Sequence, residues 1–460
     1  MTTPRLKRTL VAVSAAVLVA TTGVAAATAG QGHGGRGNGG GNQQSNQGNQ
    51  GNQGNQGQGG GNGGGNHQSG HGQGDRGGKD HQGQGGNAGP STGSGGKNHQ
   101  GKNHQGKDGK RKDGNGGGTR NAAGATGEGD DLRYPGVDTM ALPGTDRFIS
   151  YGASASEGGH RYRVPFTVHG SGNVPTTSAT ITGDALPRTG AWVAPGSGIW
   201  APAAYHQATG DGAGYYLFYT ATHRADDGRK CIGTAWSDTA RGPFKAADQP
   251  LVCPTKGNRW ALDADVARGP KGGIWFTWRD GQRAQGPESA LSVVRLKLDA
   301  HHQARPVSAP TVIMRSDHLT WAHYRDGAGV TVIENPALLW DNGWYLFYSG
   351  NSWPTNYYAT GIASCGQRLT DGLCTPIPGP RKAVFAYTGP QEHLPRDMYV
   401  HGLPGNKRGP GAMAPFRSND GHLWVTWNYF RDGSRERFSR TGRLVRTGSG
   451  TGADFRVVAL

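Results

Sequence analysis

The sequence predicts an all-β fold, a five-bladed β-propeller, on three observations. An aromatic strand motif recurs five times. Long helical periodicity is hard to find. The apolar runs are short and broken by Gly, Pro, Asn and Asp. The motif reads Gly214-Tyr215-Tyr216-Leu217-Phe218-Tyr219-Thr220 and Gly343-Trp344-Tyr345-Leu346-Phe347-Tyr348-Ser349. Gly273-Ile274-Trp275-Phe276-Thr277-Trp278, His422-Leu423-Trp424-Val425-Thr426-Trp427 and the weaker Arg147-Phe148-Ile149-Ser150-Tyr151-Gly152 complete the set. Spacings of about 60 to 80 residues mark internal repeats. Runs that are apolar on both faces suit strands packed between neighbouring blades, and a closed ring of blades hides strand edges.

In chain order, Met1–Ala29 reads as a secretory leader, with Arg5, Lys7 and Arg8 ahead of the apolar run Leu10–Ala20 and a small-residue cleavage site at Ala27-Thr28-Ala29. The run is too short for a membrane span, so an exported product with no membrane attachment after cleavage is expected. Residues 30–129 are Gly/Asn/Gln/His-rich text with almost no aliphatic or aromatic residue. They cannot offset the entropy of ordering and are expected to be a flexible coil, a spacer or a wall-adhesive tail. Scattered histidines (His67, His71, His81, His99, His104) lack the tight spacing of a metal site. The third segment, 130–460, is long enough for one large core.

Further β-type text follows three of the aromatic strands: Lys230–Trp236, Leu291–Leu296 and Tyr358–Ser364. The cysteines fall into two local pairs, Cys231/Cys253 and Cys365/Cys374, each just after an aromatic strand. In an exported chain they read as disulfides stapling the outer part of a blade. The formal net charge is +16. Such a balance can serve nucleic acid, acidic polysaccharide or an anionic cell surface. No compact Lys/Arg block accompanies a nucleic-acid motif, so nucleic acid is not expected as a partner.

A succession of short motifs carries the chemistry. Trp200-Ala201-Pro202 is followed by Cys231-Ile232-Gly233-Thr234-Ala235, Gly242-Pro243-Phe244, Leu262-Asp263-Ala264-Asp265-Val266 and Glu334-Asn335-Pro336. That order resembles the family 43 glycoside hydrolases, the arabinanase and β-xylosidase group, over essentially Asp130 to Leu460. The resemblance implies a five-bladed propeller with an axial funnel and an inverting mechanism. One carboxylic acid protonates the leaving oxygen while a second activates water from roughly 6.5 to 9.5 Å away.

Glu334 matches the family's general acid. A carboxyl at an inner strand end among apolar neighbours and other acids would be held protonated for donation. Asp263 matches the aspartate that tunes it, with Ala264 where proline is usual. Asp265, two residues on, is expected to share its face on a regular strand. The base is unmatched. Tyr134, before Pro135, stands where the family has an aspartate, and a phenol is a poor base near neutrality. Either Asp138 or Asp131 acts from a shifted position, or the mechanism differs, or hydrolysis is lost. Trp200 is the expected sugar platform, and Trp321, Trp353, Tyr134 and Asp265 are further expected substrate contacts.

After Gly409-Pro410-Gly411, Ala412-Met413 stand where the family often has a histidine supporting a central calcium or sodium ion, so no cofactor is expected. The leading expectation is a secreted hydrolase of arabinose- or xylose-containing polysaccharide. The alternatives are a carbohydrate-binding propeller without its base, and a surface protein whose tail is the working part.

Overall fold

The computed structural model describes residues 131–458 apart from 133, 177–179, 255–258, 283–288, 325–331, 404–406 and 432–435. The chain divides into two units, Met1–Lys112 and Asp113–Leu460. The expected leader and Gly/Asn/Gln/His-rich region lie outside the described residues, as does Arg133. All that follows concerns the second unit.

The all-β expectation holds. The described residues form strands and a few single 3-10 turns, with no α-helix among them. Each expected aromatic run is a strand: Phe148–Tyr151, Gly214–His223, Ile274–Gln282, Trp344–Gly350 and Leu423–Phe430. Each pairs antiparallel with a preceding inner strand: Asp138–Ala141, Trp200–Gln207, Arg259–Arg268, Ile333–Trp340 and Arg408–Arg417. Each also pairs antiparallel with a following strand: Pro165–His169, Asp226–Ser237, Ser289–Leu298, Ala359–Gly366 and Arg437–Thr447. The second and third groups join into one nine-stranded sheet through a single parallel bridge, Trp260 to Lys230.

The aromatic strands are apolar on both faces because each face meets a different neighbour. Trp344, Leu346 and Tyr348 pack with Leu291 and Val293 of the preceding group. Tyr345 and Phe347, pointing the other way, pack with Val425 and Trp427 of the following group. Leu217 and Tyr219 likewise meet Ile149 and Tyr151, while Tyr216 and Phe218 meet Phe276 and Val294. The core is therefore a series of layers between sheets. Each fully buried large apolar side chain contributes about 1.5–3 kcal/mol.

The two ends of this unit meet. Leu132 and Ser439 exchange backbone hydrogen bonds of 3.0 and 2.9 Å, and Ser439 Oγ donates to the Tyr134 carbonyl at 2.8 Å. Leu132 thus extends the last strand group, while the Pro135 carbonyl accepts the Ala153 N–H of the first group at 2.9 Å. The Tyr134 ring closes this seam by lying over Gly152, where an added Cβ would stand 2.0 Å from its Cδ2.

Both cysteine pairs are bridged as expected, with Cα–Cα distances of 4.5 Å for Cys231–Cys253 and 4.3 Å for Cys365–Cys374. Each bridge ties the third strand of its group to the chain that follows. Chain entropy ranks them by the length they close, 22 against 9 residues. Replacing both Cys231 and Cys253 by Ser is expected to cost about 3 kcal/mol, and the Cys365/Cys374 double replacement somewhat less. Thermal melts of both variants check this. A melting temperature equal to wild type for the first variant would contradict it.

Candidate active site

Every inner strand carries the same irregularity, within the strand in four cases and two residues before it in the first. Gly136, Ala201, Asp263, Asn335 and Ala412 all have positive φ, at 63°, 39°, 55°, 49° and 51°. In four of the strands the pairing register slips at this point, the mark of a β-bulge. A left-handed conformation is unfavourable for any residue but Gly, and Asn and Asp tolerate it best. The five residues form a ring with a cavity on each side.

Below the ring is an axial cavity of about 40 Å³, lined by one triplet from each inner strand, from Gly136-Val137-Asp138 to Ala412-Met413-Ala414. Above it is a cavity of about 620 Å³, within the range of small-ligand sites. The five ring residues line both.

Glu334 and Asp263 come together in the larger cavity. Both Glu334 oxygens accept hydrogen bonds, from Arg279 Nη1 at 3.0 Å and from the Tyr358 hydroxyl at 2.9 Å. The Tyr358 oxygen in turn accepts from Asn335 Nδ2 at 2.7 Å. Asp263 Oδ2 accepts the Asn335 N–H at 3.2 Å. Burial, and then the charge of Glu334, raise the Asp263 carboxyl above the usual carboxylate range, and Arg279 opposes them. Asp263 thus titrates under the charge of Glu334.

Three tryptophans flank these groups. Trp200 is 41% and Trp353 54% exposed, and both line the cavity with Trp260. Trp260 meets Trp200 edge-on at 6.3 Å, and Trp353 stacks on Phe430 at 6.0 Å. The two exposed indoles offer flat apolar faces of the kind that sugar rings pack against.

Asp138 and Asp265 lie below the ring, each two residues along its strand from a ring residue, and line only the axial cavity. Asp138 accepts the N–H groups of Ala204 at 2.7 Å and Thr139 at 2.9 Å. Burial, then the charge of Asp265, push its carboxyl up to about 7. Asp265 accepts the Leu338 N–H at 2.7 Å, and burial pushes it up to about 6. Asp265 shares the axial cavity with Asp263, as expected, but the bulge breaks strand alternation between them and Asp265 does not line the larger cavity, which corrects the expectation that it touches substrate.

Two more expected substrate contacts are corrected by burial. Tyr134 is fully buried in the seam, its hydroxyl donating to Thr167 Oγ1 at 2.7 Å, and burial drives its phenol well above the ordinary value. Trp321 is fully buried 6.1 Å from the Tyr348 ring, in the core behind the cavity wall. The counterpart of Asp263 on the first inner strand is Gly136, not Tyr134, so that ring position bears no side chain. Asp131 lines neither cavity. It is held by Arg431 at 2.5 Å and by Tyr429.

Sequence reasoning missed Arg279, Tyr358, Arg437 and Trp260. Arg279 carried a signal, a charge closing the apolar strand text Ile274–Trp278. Tyr358 and Trp260 carried none, being two aromatics among many.

The family model for glycosyl hydrolases family 43 matches residues 180–446. The chain belongs to family 43. Among solved structures, this family 43 chain is similar to an endo-1,4-β-xylanase from Bacteroides thetaiotaomicron VPI-5482, at 19% identity over 72% of this chain and 97% of that one, TM-score 0.49. It is also similar to an endo-arabinase from the same organism, at 16% identity over 69% and 96%, TM-score 0.49. A third is the α-L-arabinanase of Cellvibrio cellulosa complexed with arabinohexaose, at 14% over 71% and 96%, TM-score 0.48. No curated protein matches the chain.

The axial acids of this family 43 chain make its stability pH-dependent. Asp138 and Asp265 titrate higher in the folded state than in the unfolded chain, so the native protein holds more protons between about pH 4 and pH 7. Their contribution is greatest at the acid end and falls as pH rises through that window. Asp138→Asn is expected to flatten the fall by up to ~1.4 kcal/mol per pH unit. Urea denaturation at several pH values checks this, and an unchanged slope would refute it.

Proposed function

We propose that the chain is an exported hydrolase of O-glycosidic bonds in arabinose- or xylose-containing polysaccharides, built as a five-bladed propeller and inverting in mechanism. The observation that carries the reading is the meeting of Glu334 and Asp263, from adjacent inner strands, on the floor of a tryptophan-flanked cavity. The sugar class rests on membership of family 43. In this reading the leader is removed on export and the Gly/Asn/Gln/His-rich region tethers the enzyme to a wall or polymer.

In the proposed reaction Glu334 gives its proton to the departing glycosidic oxygen. The anomeric carbon–oxygen bond breaks as a bond to water forms from the opposite face, and the water's proton passes to a base. Before donation Glu334 must take up a proton, and the bonds from Arg279 and Tyr358 leave each of its oxygens a second lone pair to carry it. Asp263 tunes the acid. Asp138 is the proposed base. Its pKa of about 7 suits proton abstraction near neutrality. Gly136 has no side chain to block a water between the two cavities.

The bare ring position at Gly136 also favours a second reading, a carbohydrate-binding protein that has lost its base. Turnover separates the two. On aryl arabinofuranoside, aryl xyloside and arabinan, Glu334→Gln and Asp138→Asn are each expected to lower kcat by about 10²–10⁴-fold. Wild-type turnover equal to that of Glu334→Gln on every substrate, with sugar still bound, would establish the second reading. In that case Gly136→Asp is the informative variant. Its Cβ would meet Ala153 Cβ at 3.3 Å and Ala201 N at 3.4 Å, and Asp263 already occupies the same left-handed conformation. The exchange is therefore expected to fold and to introduce turnover.

A further inference from the structure

Arg437 lines the larger cavity and is only 7% exposed. Its guanidinium carbon lies 4.3 Å from the Phe430 ring, 4.7 Å from Tyr358 and 5.4 Å from Trp353. It donates to the carbonyls of Gly409, at 3.1 Å, and Trp353, while its Nε has no partner among the described residues. Among the described residues it has no carboxylate in ion-pair contact, whereas Arg279 in the same cavity is paired with Glu334. Burying a cation without a counter-ion is costly, and carbonyl dipoles and ring faces offset only part of that cost. Desolvation lowers its pKa to about 10, with Tyr358 and the charge of Glu334 opposing, so it stays charged near neutrality.

The surplus extends to the rim. Lys230 Nζ sits 4.1 Å from the Trp200 ring and 5.9 Å from Trp260, bonded to Thr222 Oγ1. Against these charges stand Glu334, already paired with Arg279, and Asp263, whose carboxyl is raised by burial and by the charge of Glu334. Among the described residues the cavity is therefore short of negative charge.

We propose that the cavity takes an acidic sugar, a uronate-bearing oligosaccharide whose carboxylate is seated against Arg437 with Lys230 steering it past Trp200. A planar carboxylate can lie in the guanidinium plane between the flanking rings, where Arg recognition is strongest. The inference rests on the reading of this cavity as a sugar site and narrows the substrate from neutral to acidic chains.

Calorimetry on the full protein tests it with xylotetraose and with xylotetraose bearing one glucuronic acid. Wild type is expected to bind the acidic chain at least about tenfold more tightly at low salt. The preference should shrink toward unity in about 1 M NaCl, where charges are screened beyond ~3 Å. It should also shrink in Arg437→Gln, and in part in Lys230→Gln. Equal or tighter binding of the neutral chain by wild type overturns the acidic-sugar inference and leaves the sugar site standing. Binding of neither chain overturns the sugar site as well. A folded Arg437→Gln that keeps the full preference removes Arg437 from the role. Should that variant not fold, the wild-type preference and its salt dependence decide.

Discussion

Five inner strands run side by side around an axis without pairing with one another, and satisfying their inward N–H groups constrains everything else. A strand edge with buried, unpaired N–H groups is costly. Side chains supply the missing acceptors at each junction. Asp138 takes the Ala204 N–H between the first and second strands, and Thr220 Oγ1 takes the Asp263 N–H between the second and third groups. Asp263 and Asp265 take those of Asn335 and Leu338 between the third and fourth. Ser349 Oγ takes the Ala412 N–H between the fourth and fifth groups. Asn428 Oδ1 takes the Gly136 N–H where the ring closes, beside the Thr139–Thr426 hydroxyl pair. Three of these acceptors are carboxyls, and burying them pushes each one's titration upward.

The same arrangement separates the acids by level. A bulge in four of the strands turns one residue out of alternation, so Asp263 faces both cavities while Asp265 faces only the axis, as does Asp138 on the unbulged first strand. Glu334, one residue before its ring position, opens into the larger cavity alone. Chemistry and architecture thus draw on one set of side chains. Asp263 ties two strands together and also feels the charge of Glu334. Arg279 and Arg437 share that cavity, and of the two, among the described residues, Arg279 alone is in ion-pair contact with a carboxylate, while Arg437 feels the charge of Glu334 from further off.

Glu334, Asp263, Trp200 and Trp353 were legible as cavity residues because the motif text around each strand start is local. Tyr134 was misplaced for a definite reason. Counting from Pro135 assumed that the proline marks the ring position, as Pro336 does one residue after Asn335. In the first strand the ring position falls one residue after the proline, at Gly136. The segment around Tyr134 was already committed to pairing with Ser439. Trp321 was misassigned because an indole next to a motif looks the same in sequence whether it faces a cavity or a core.

What the amino-acid order settled was whatever depends on near neighbours. The five aromatic strands follow from alternation of side chains along a strand, and the two disulfides follow from cysteines close in the chain. What required the closed fold was whatever depends on residues hundreds of positions apart. The Gly136–Asn428 bond arises only when the first and last strand groups meet, and the split of the acids above and below the ring and the surroundings of Arg437 only when the inner strands converge on one axis. No local pattern encodes them, because a bulge changes which way a side chain points without changing the text around it.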